Sequence, residues 1–151
     1  MQKYIQMLLD QGADAAVKIE PVSIVTGAWV AYKCRFGCAR YNSNLCCPPH
    51  TPTYKETDEM LACYNRAILF RCHKMRMVSE IAVKVTAALF LDDYYKAICF
   101  GSGPCRKCEK CGDEGCNFPR EAVPSMEACG IDVFATARAN GFCLLYTSRC
   151  V

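Results

Sequence analysis

Gly101-Ser-Gly-Pro-Cys-Arg-Lys-Cys-Glu-Lys-Cys-Gly-Asp-Glu-Gly-Cys116 is the stretch on which the reading of this 151-residue chain turns. It holds no Val, Ile, Leu, Met or aromatic side chain, so no hydrophobic packing can organise it. Gly101, Gly103, Gly112 and Gly115 deny it regular structure. What it does hold is thiols: Cys105, Cys108 and Cys111 stand three positions apart, with Cys116 five further on. A loop this polar orders when something binds it, and a metal supplies that free energy. The fold must therefore present the loop at the edge of a body that packs without it.

The flanking sequence provides such a body. Tyr95-Lys-Ala-Ile-Cys-Phe100 reads as a strand broken by Gly101 to deliver the chain into the cysteine loop. Before it, Ile81, Val85 and Leu89 fall four apart and predict a helix over 79–91, and the apolar run 67–72 predicts a buried strand. Thr53-Tyr-Lys-Glu56 has capping-box form and opens a helix to about residue 64. Nearer the amino terminus, Tyr4, Ile5, Leu8 and Leu9 predict an amphipathic helix over 2–11 that Gly12 ends, followed by a short strand over 15–19. After the loop, a helix over 131–140 carries Asp132 near its positive end, and a last strand spans 142–146. The expected fold is α/β: a small sheet with flanking helices and a cysteine-rich metal-cluster lobe, in one metal-binding domain over 1–151.

Composition narrows the setting. Fourteen cysteines in a chain with 52% hydrophobic residues mean a secreted disulfide framework, metal ligands, or thiols packed in a reducing compartment. The first ten residues lack a signal-peptide core and cleavage site, and no Asn-x-Ser/Thr sequon occurs, so the expected location is the cytoplasm. No apolar stretch reaches the roughly 20 residues of a membrane helix, and no membrane association is expected. With 18 Lys and Arg against 15 Asp and Glu, net charge +3, the chain is neither an acidic tail nor a strongly basic nucleic-acid binder.

In a reducing compartment cysteine spacing carries chemistry. Cys105-x2-Cys108-x2-Cys111 matches the start of the bacterial ferredoxin run, which wraps a 4Fe–4S cubane and whose fourth Cys serves the other cluster. Cys116 is one residue later than in that run, and Pro119 does not follow it directly. Zinc is the competing metal. Paired zinc knuckles, however, are usually separated by a dozen or more residues, against two between Cys108 and Cys111. A second, looser group is Cys34-x3-Cys38-x7-Cys46-Cys47-Pro48. Within its adjacent pair Cys47 is the better ligand candidate, because the Cys-Pro dipeptide echoes the ferredoxin run, and Cys46 reads as packing or a spare thiol. His50 reads as a loop histidine and His73 as a surface one. Cys63, Cys72, Cys99, Cys143 and Cys150 read as small apolar residues.

Lys33-Cys-x3-Cys, Cys47-Pro-Pro, Gly103-Pro-Cys-x2-Cys-x2-Cys and Pro124-Ser-Met-Glu-Ala-Cys-Gly-Ile-Asp132, in this order, resemble an uncharacterised bacterial and archaeal family of predicted metal-binding proteins. The resemblance implies metal binding and adds Cys34, Cys38 and Cys47 to the expected ligands. Cys46 is extra to the pattern, and Cys129 falls in a matched stretch without a ligand spacing of its own. The fourth motif reads as a helix entry that docks below the cysteine loop.

The expected ligands are thus Cys34, Cys38, Cys47, Cys105, Cys108, Cys111 and Cys116, for one or two iron–sulfur clusters, with zinc as the alternative. The expected function is electron transfer, or redox support of a partner protein. A zinc-stabilised interaction module is one alternative. The other is an enzyme using a cluster with an open coordination position, although no Ser-His-Asp order, phosphate loop or dinucleotide fingerprint is present.

Overall fold

The computed structural model describes residues 1–142. Tyr4 and Leu8 lie one turn apart on helix α1 (Gln2–Asp10) and both are buried. The chain then turns at Gly12, φ +102°, where an added Cβ would press on Met77 Cε at 3.1 Å. Strand β1 (Ala15–Ile19) pairs antiparallel with β2 (Ala67–Arg71), Val17 lying opposite Leu69. The two-residue period of the pleat sends Ala16, Ile68 and Phe70 to one face. There they pack with α1 and α4 (Met75–Leu91) around Tyr4, Leu8, Ala13, Ile81 and Val85. Burying each of Leu8, Ile81 and Val85 stabilises by about 1.5–3 kcal/mol.

A second set of elements gathers on the 3₁₀ turn Glu127–Cys129. Helix α2 (Ala28–Gly37) packs against that turn. Helix α3 (Tyr54–Leu61) starts with the full capping box, Thr53 Oγ1 accepting from Glu56 N and the Glu56 carboxylate accepting from Thr53 N at 2.7 Å. The Thr57 hydroxyl of α3, fully buried, donates to the Cys129 carbonyl at 2.7 Å. Helix α5 (Val133–Ala139) is capped by Asp132, which accepts from Ala135 N. Thr26 and Ile131 form a bridge beside it. Among the described residues no buried side-chain nitrogen or oxygen lacks a partner, and no helix is long and apolar enough to cross a membrane.

The architecture is a small α/β fold, as expected from the sequence, with differences in its parts. The expected strand over 95–100 is absent. Tyr95 is 71% exposed, and the backbone makes a single parallel bridge, Gly101 with Ser125, so the sheet of the described residues has two strands. Residues 28–37 form a helix where the periodicity gave none, because α2 buries only Val30 and leaves Trp29, Tyr32 and Phe36 half exposed or more. Helix α4 begins at Met75, four residues earlier than expected. Of the expected strand over 142–146, all but Phe142 lies outside the described residues.

Candidate metal centre

Cys34 sits in the last turn of α2 and Cys38 just past its end, where the backbone turns extended. Their four-residue spacing keeps both thiols on one side of the helix. The loop that follows is built around Asn44. Its Oδ1 accepts from Cys46 N at 3.0 Å, its carbonyl accepts from Cys47 N at 3.0 Å, and its Nδ2 donates to Cys47 Sγ at 3.3 Å. An Asn can hold two consecutive residues in this way because its short amide mimics a backbone turn. His50 closes the same loop, its Nε2 lying 2.8 Å from Asn42 Oδ1, so it is engaged there rather than turned to the thiols. Cys47 ends buried, 8% exposed, and Cys46 half-buried.

The second group hangs from a clamp. Gly101 N donates to the Pro124 carbonyl at 2.7 Å, and Ser102 N donates to Ser79 Oγ at 3.3 Å. A Cβ on Gly101 would run into that same serine. Between the clamped ends, residues 102–124 form no helix or strand. A loop of such length in a small fold generally carries function. Gly112 and Gly115 make a tight turn in which a Cβ on Gly112 would lie 2.8 Å from the Gly115 carbonyl. Lys107 and Glu121 pair at 2.6 Å across the loop. Cys105, Cys108, Cys111 and Cys116 are all half-buried, with Cys111, Cys105 and Cys116 within electrostatic reach of Cys108.

Although far apart in sequence, the two groups meet. The Cys46 thiol lies within electrostatic reach of Cys105 and of Cys116. Cys47 lies within electrostatic reach of Cys38 and of Cys105. Cys34 faces Cys38, the Glu127 carboxylate and Cys47. Among the described residues, no three His, Cys, Asp or Glu side chains converge closely enough to hold a single metal ion.

The family model described as Predicted metal-binding protein (DUF2284) matches residues 17–149. The chain belongs to that family. No curated protein and no solved structure matches it.

The electrostatics of the site suit a metal-binding family. Burial and then the neighbouring charges of Cys38, Glu127 and Cys47 push the Cys34 thiol up. Burial and then Cys105 do the same to Cys46, and burial and then Cys111 to Cys108. Cys47 is also raised, by burial first, with the Asn44 amide and Arg40 opposing. Thiols that suppress one another's ionisation repel as thiolates, and a cation or cluster turns that repulsion into attraction. The donor set is sulfur, with the Glu127 carboxylate within electrostatic reach of Cys34. It fits a soft metal or an iron–sulfur cluster.

The family's fourth motif is the bracket for both loops. Pro124 and Ser125 close the second, and the Ala128 carbonyl accepts from Thr51 Oγ1 at 2.6 Å at the end of the first. Gly130 accepts from Gly27 N just before α2. Cys129, within the bracket, is buried in the fold, its thiol pushed up to about 12 by that burial. Cys72 packs on the core, and Cys99 is half-buried, its thiol pushed up by that burial. Cys63 is exposed beyond α3, its thiol 3.5 Å from the Glu59 carbonyl. Cys143 and Cys150 lie outside the described residues. The sequence reading missed Glu127 and Asn44, and it missed the company Cys46 keeps. Only Asn44 left a local signal, a turn-forming residue two positions before the cysteine pair.

Proposed function

We propose that this metal-binding protein is a cytoplasmic iron–sulfur protein that passes electrons to a partner enzyme or holds a redox centre for it. Cys34, Cys38, Cys47, Cys105, Cys108, Cys111 and Cys116 would hold one or two 4Fe–4S clusters. The meeting of the two cysteine groups, with Cys105 beside Cys46 and within reach of Cys47, carries the reading. A cubane takes one thiolate at each iron, so its ligands stand farther apart than four sulfurs around one zinc at about 2.3 Å. Among the described residues, no three of these thiols converge on one point. A bound cluster supplies one-electron redox chemistry. The protein's part is to hold the thiols, to shield Cys47 from water, and to point loop N–H groups such as Phe118 N, 3.4 Å from Cys116 Sγ, at the sulfurs.

One observation favours a second reading. Cys34, Cys38 and Cys47 are three thiols with Glu127 facing the first of them. A cluster held by three cysteines has one iron without a thiolate, the position at which an enzyme of this kind binds substrate.

Anaerobic purification with iron and acid-labile sulfide analysis and an absorption spectrum tests the proposal. Brown protein with iron and sulfide in equal amounts is expected. Colourless protein holding stoichiometric zinc would overturn it and leave a zinc-stabilised interaction module.

A further inference from the structure

We infer that the exposed stripe of α2, Trp29, Tyr32, Lys33 and Phe36 with Arg35 beside it, is a docking surface for a protein partner that meets it with an acidic face. The inference deepens the proposed function, resting on its partner protein but not on which metal is held. Residues 29, 32, 33 and 36 recur at the spacing of one helix face, and Val30, the residue α2 buries, lies with Cys34 one turn on at the other. Trp29, Tyr32 and Phe36 are 50, 67 and 66% exposed. Single exposed apolar side chains are ordinary, but large rings gathered on one face mark an interaction site. These rings are also held in place. The Tyr32 and Phe36 centroids stand 4.5 Å apart, Lys33 Nζ lies 5.4 Å from the centre of the Trp29 ring, and the Arg35 guanidinium lies 5.4 Å from that of Phe36. Side chains ordered beforehand lose less freedom when a partner arrives.

Charge specifies the partner. Between Glu20 and Glu56 the chain has no Asp or Glu, while Lys33, Arg35, Arg40 and Lys55 all fall there. Elsewhere the described residues form ion pairs, Lys3 with Asp92, Lys18 with Glu20, Lys107 with Glu121 and Lys110 with Asp113. Among the described residues no carboxylate pairs with Lys33 or Arg35, which lie over rings instead. Trp, Tyr and Arg are the side chains that dominate binding at protein interfaces, and cations without carboxylates among them select an acidic partner. A second copy of this chain fits poorly, because a two-fold interface would set the cations of this face against one another. Single-stranded nucleic acid is held in a basic groove that follows its backbone, whereas α2 offers the convex side of a helix. Cys34 belongs to the same helix, so a partner seated on the stripe comes within about the 10–12 Å thickness of a helix of that thiol.

Photo-crosslinking with the full chain tests the surface. A benzophenone-bearing phenylalanine replaces Tyr32, or Phe36 in a second preparation, the chain is irradiated in its native cells, and adducts are mapped by mass spectrometry. A protein adduct whose contact peptide is rich in Asp and Glu is expected. The captured protein is then purified and titrated against this chain, with the fluorescence of Trp29, the single tryptophan, as the readout. A Lys33→Glu, Arg35→Glu variant should weaken binding by about tenfold or more, Phe36→Ala by about tenfold, and added salt should weaken it as well. Lys84→Glu, on the exposed side of α4, should leave it as it is. Helical circular dichroism and metal content equal to the wild type's show that each variant is folded. Should the charge reversal fail that check, single Lys33→Gln and Arg35→Gln variants make the same comparison. Adducts with nucleic acid, with lipid or with a second copy of this chain overturn the inference, as does no adduct at either position, or a partner whose affinity ignores both salt and charge reversal. Metal and sulfide analysis judges the iron–sulfur reading separately. A zinc protein that docks an acidic partner sinks that reading alone, and an iron–sulfur protein without such a contact sinks the docking surface alone.

Discussion

Gly130 shows how a single position supports a site it does not touch. Its φ of +78° lies where a side chain is strained, and an added Cβ would fall 2.6 Å from Tyr54 Cβ and 2.9 Å from Tyr54 Cα. Gly130→Ala therefore carries both backbone strain and a clash with the first residue of α3, and should destabilise the fold by about 2 kcal/mol or more. Urea unfolding of the metal-free protein measures this, and a midpoint equal to the wild type's would refute it. At this scale the sequence was informative wherever chemistry is local. The spacing of Cys105, Cys108 and Cys111 marked a loop with no other means of order, and Cys129, read as a packing residue, is buried in the fold. It was silent on Cys46, because what distinguishes that thiol from a spare one is Cys105, brought to it by tertiary structure. Glu127 was silent for the same reason.

Among the elements, α1 and α4 are joined at a point where helix electrostatics alone would be unfavourable. Asp92 caps the carboxyl end of α4, the negative pole of the helix, and a carboxylate there is disfavoured. Two groups from α1 offset this: Lys3 Nζ at 2.5 Å and the Tyr4 hydroxyl, which donates at 2.7 Å. The lysine first, then the tyrosine, hold the Asp92 carboxyl below its usual range. Its contribution to stability is thus present above the ordinary carboxylate range and is lost as pH falls through its lowered value. Tyr4 moves the other way. Its hydrogen bond to Asp92, then its burial, raise the phenol from 10.0 to about 12. That contribution is complete below pH 10 and is lost as pH rises toward 12. Asp92→Asn should let Tyr4 ionise closer to its ordinary value and should flatten the acid side of the stability profile. The phenolate absorbance difference between each protein and its Tyr4→Phe counterpart measures the first effect; an unmoved Tyr4 titration in Asp92→Asn would disprove the coupling. The elements legible beforehand were those with a local code: the stripe of α1, the capping box of α3, the apolar run of β2. Helix α2 gave no stripe because it buries one side of a single turn, and 95–100 was apolar without having a strand to pair with.

In the whole molecule, a helix–sheet body and a cysteine-bearing part share one short bracket, residues 124–131, to which α2, the Cys46–Cys47 loop and the second cysteine loop are all tied. The overall class could be read from the alternation of patterns, but not this bracket, whose bonds join residues distant in sequence. The clamp at the base of the second loop has one further consequence. Because Gly101 and Ser125 run parallel, their ends cannot be rejoined by a tight turn, but a Gly/Ser linker of about a dozen residues spans them. Residues 103–123 are therefore a cassette. Excising them for such a linker should leave helical circular dichroism and the late titration of Tyr4 intact while removing any metal held through the proposed ligands Cys105, Cys108, Cys111 and Cys116; loss of the Tyr4 signature would show the body to depend on the cassette. A body that stands without its insert lets the loop change length, sequence and cargo while the rest of the chain stays as it is, and makes the clamp a natural point for grafting another metal-binding segment.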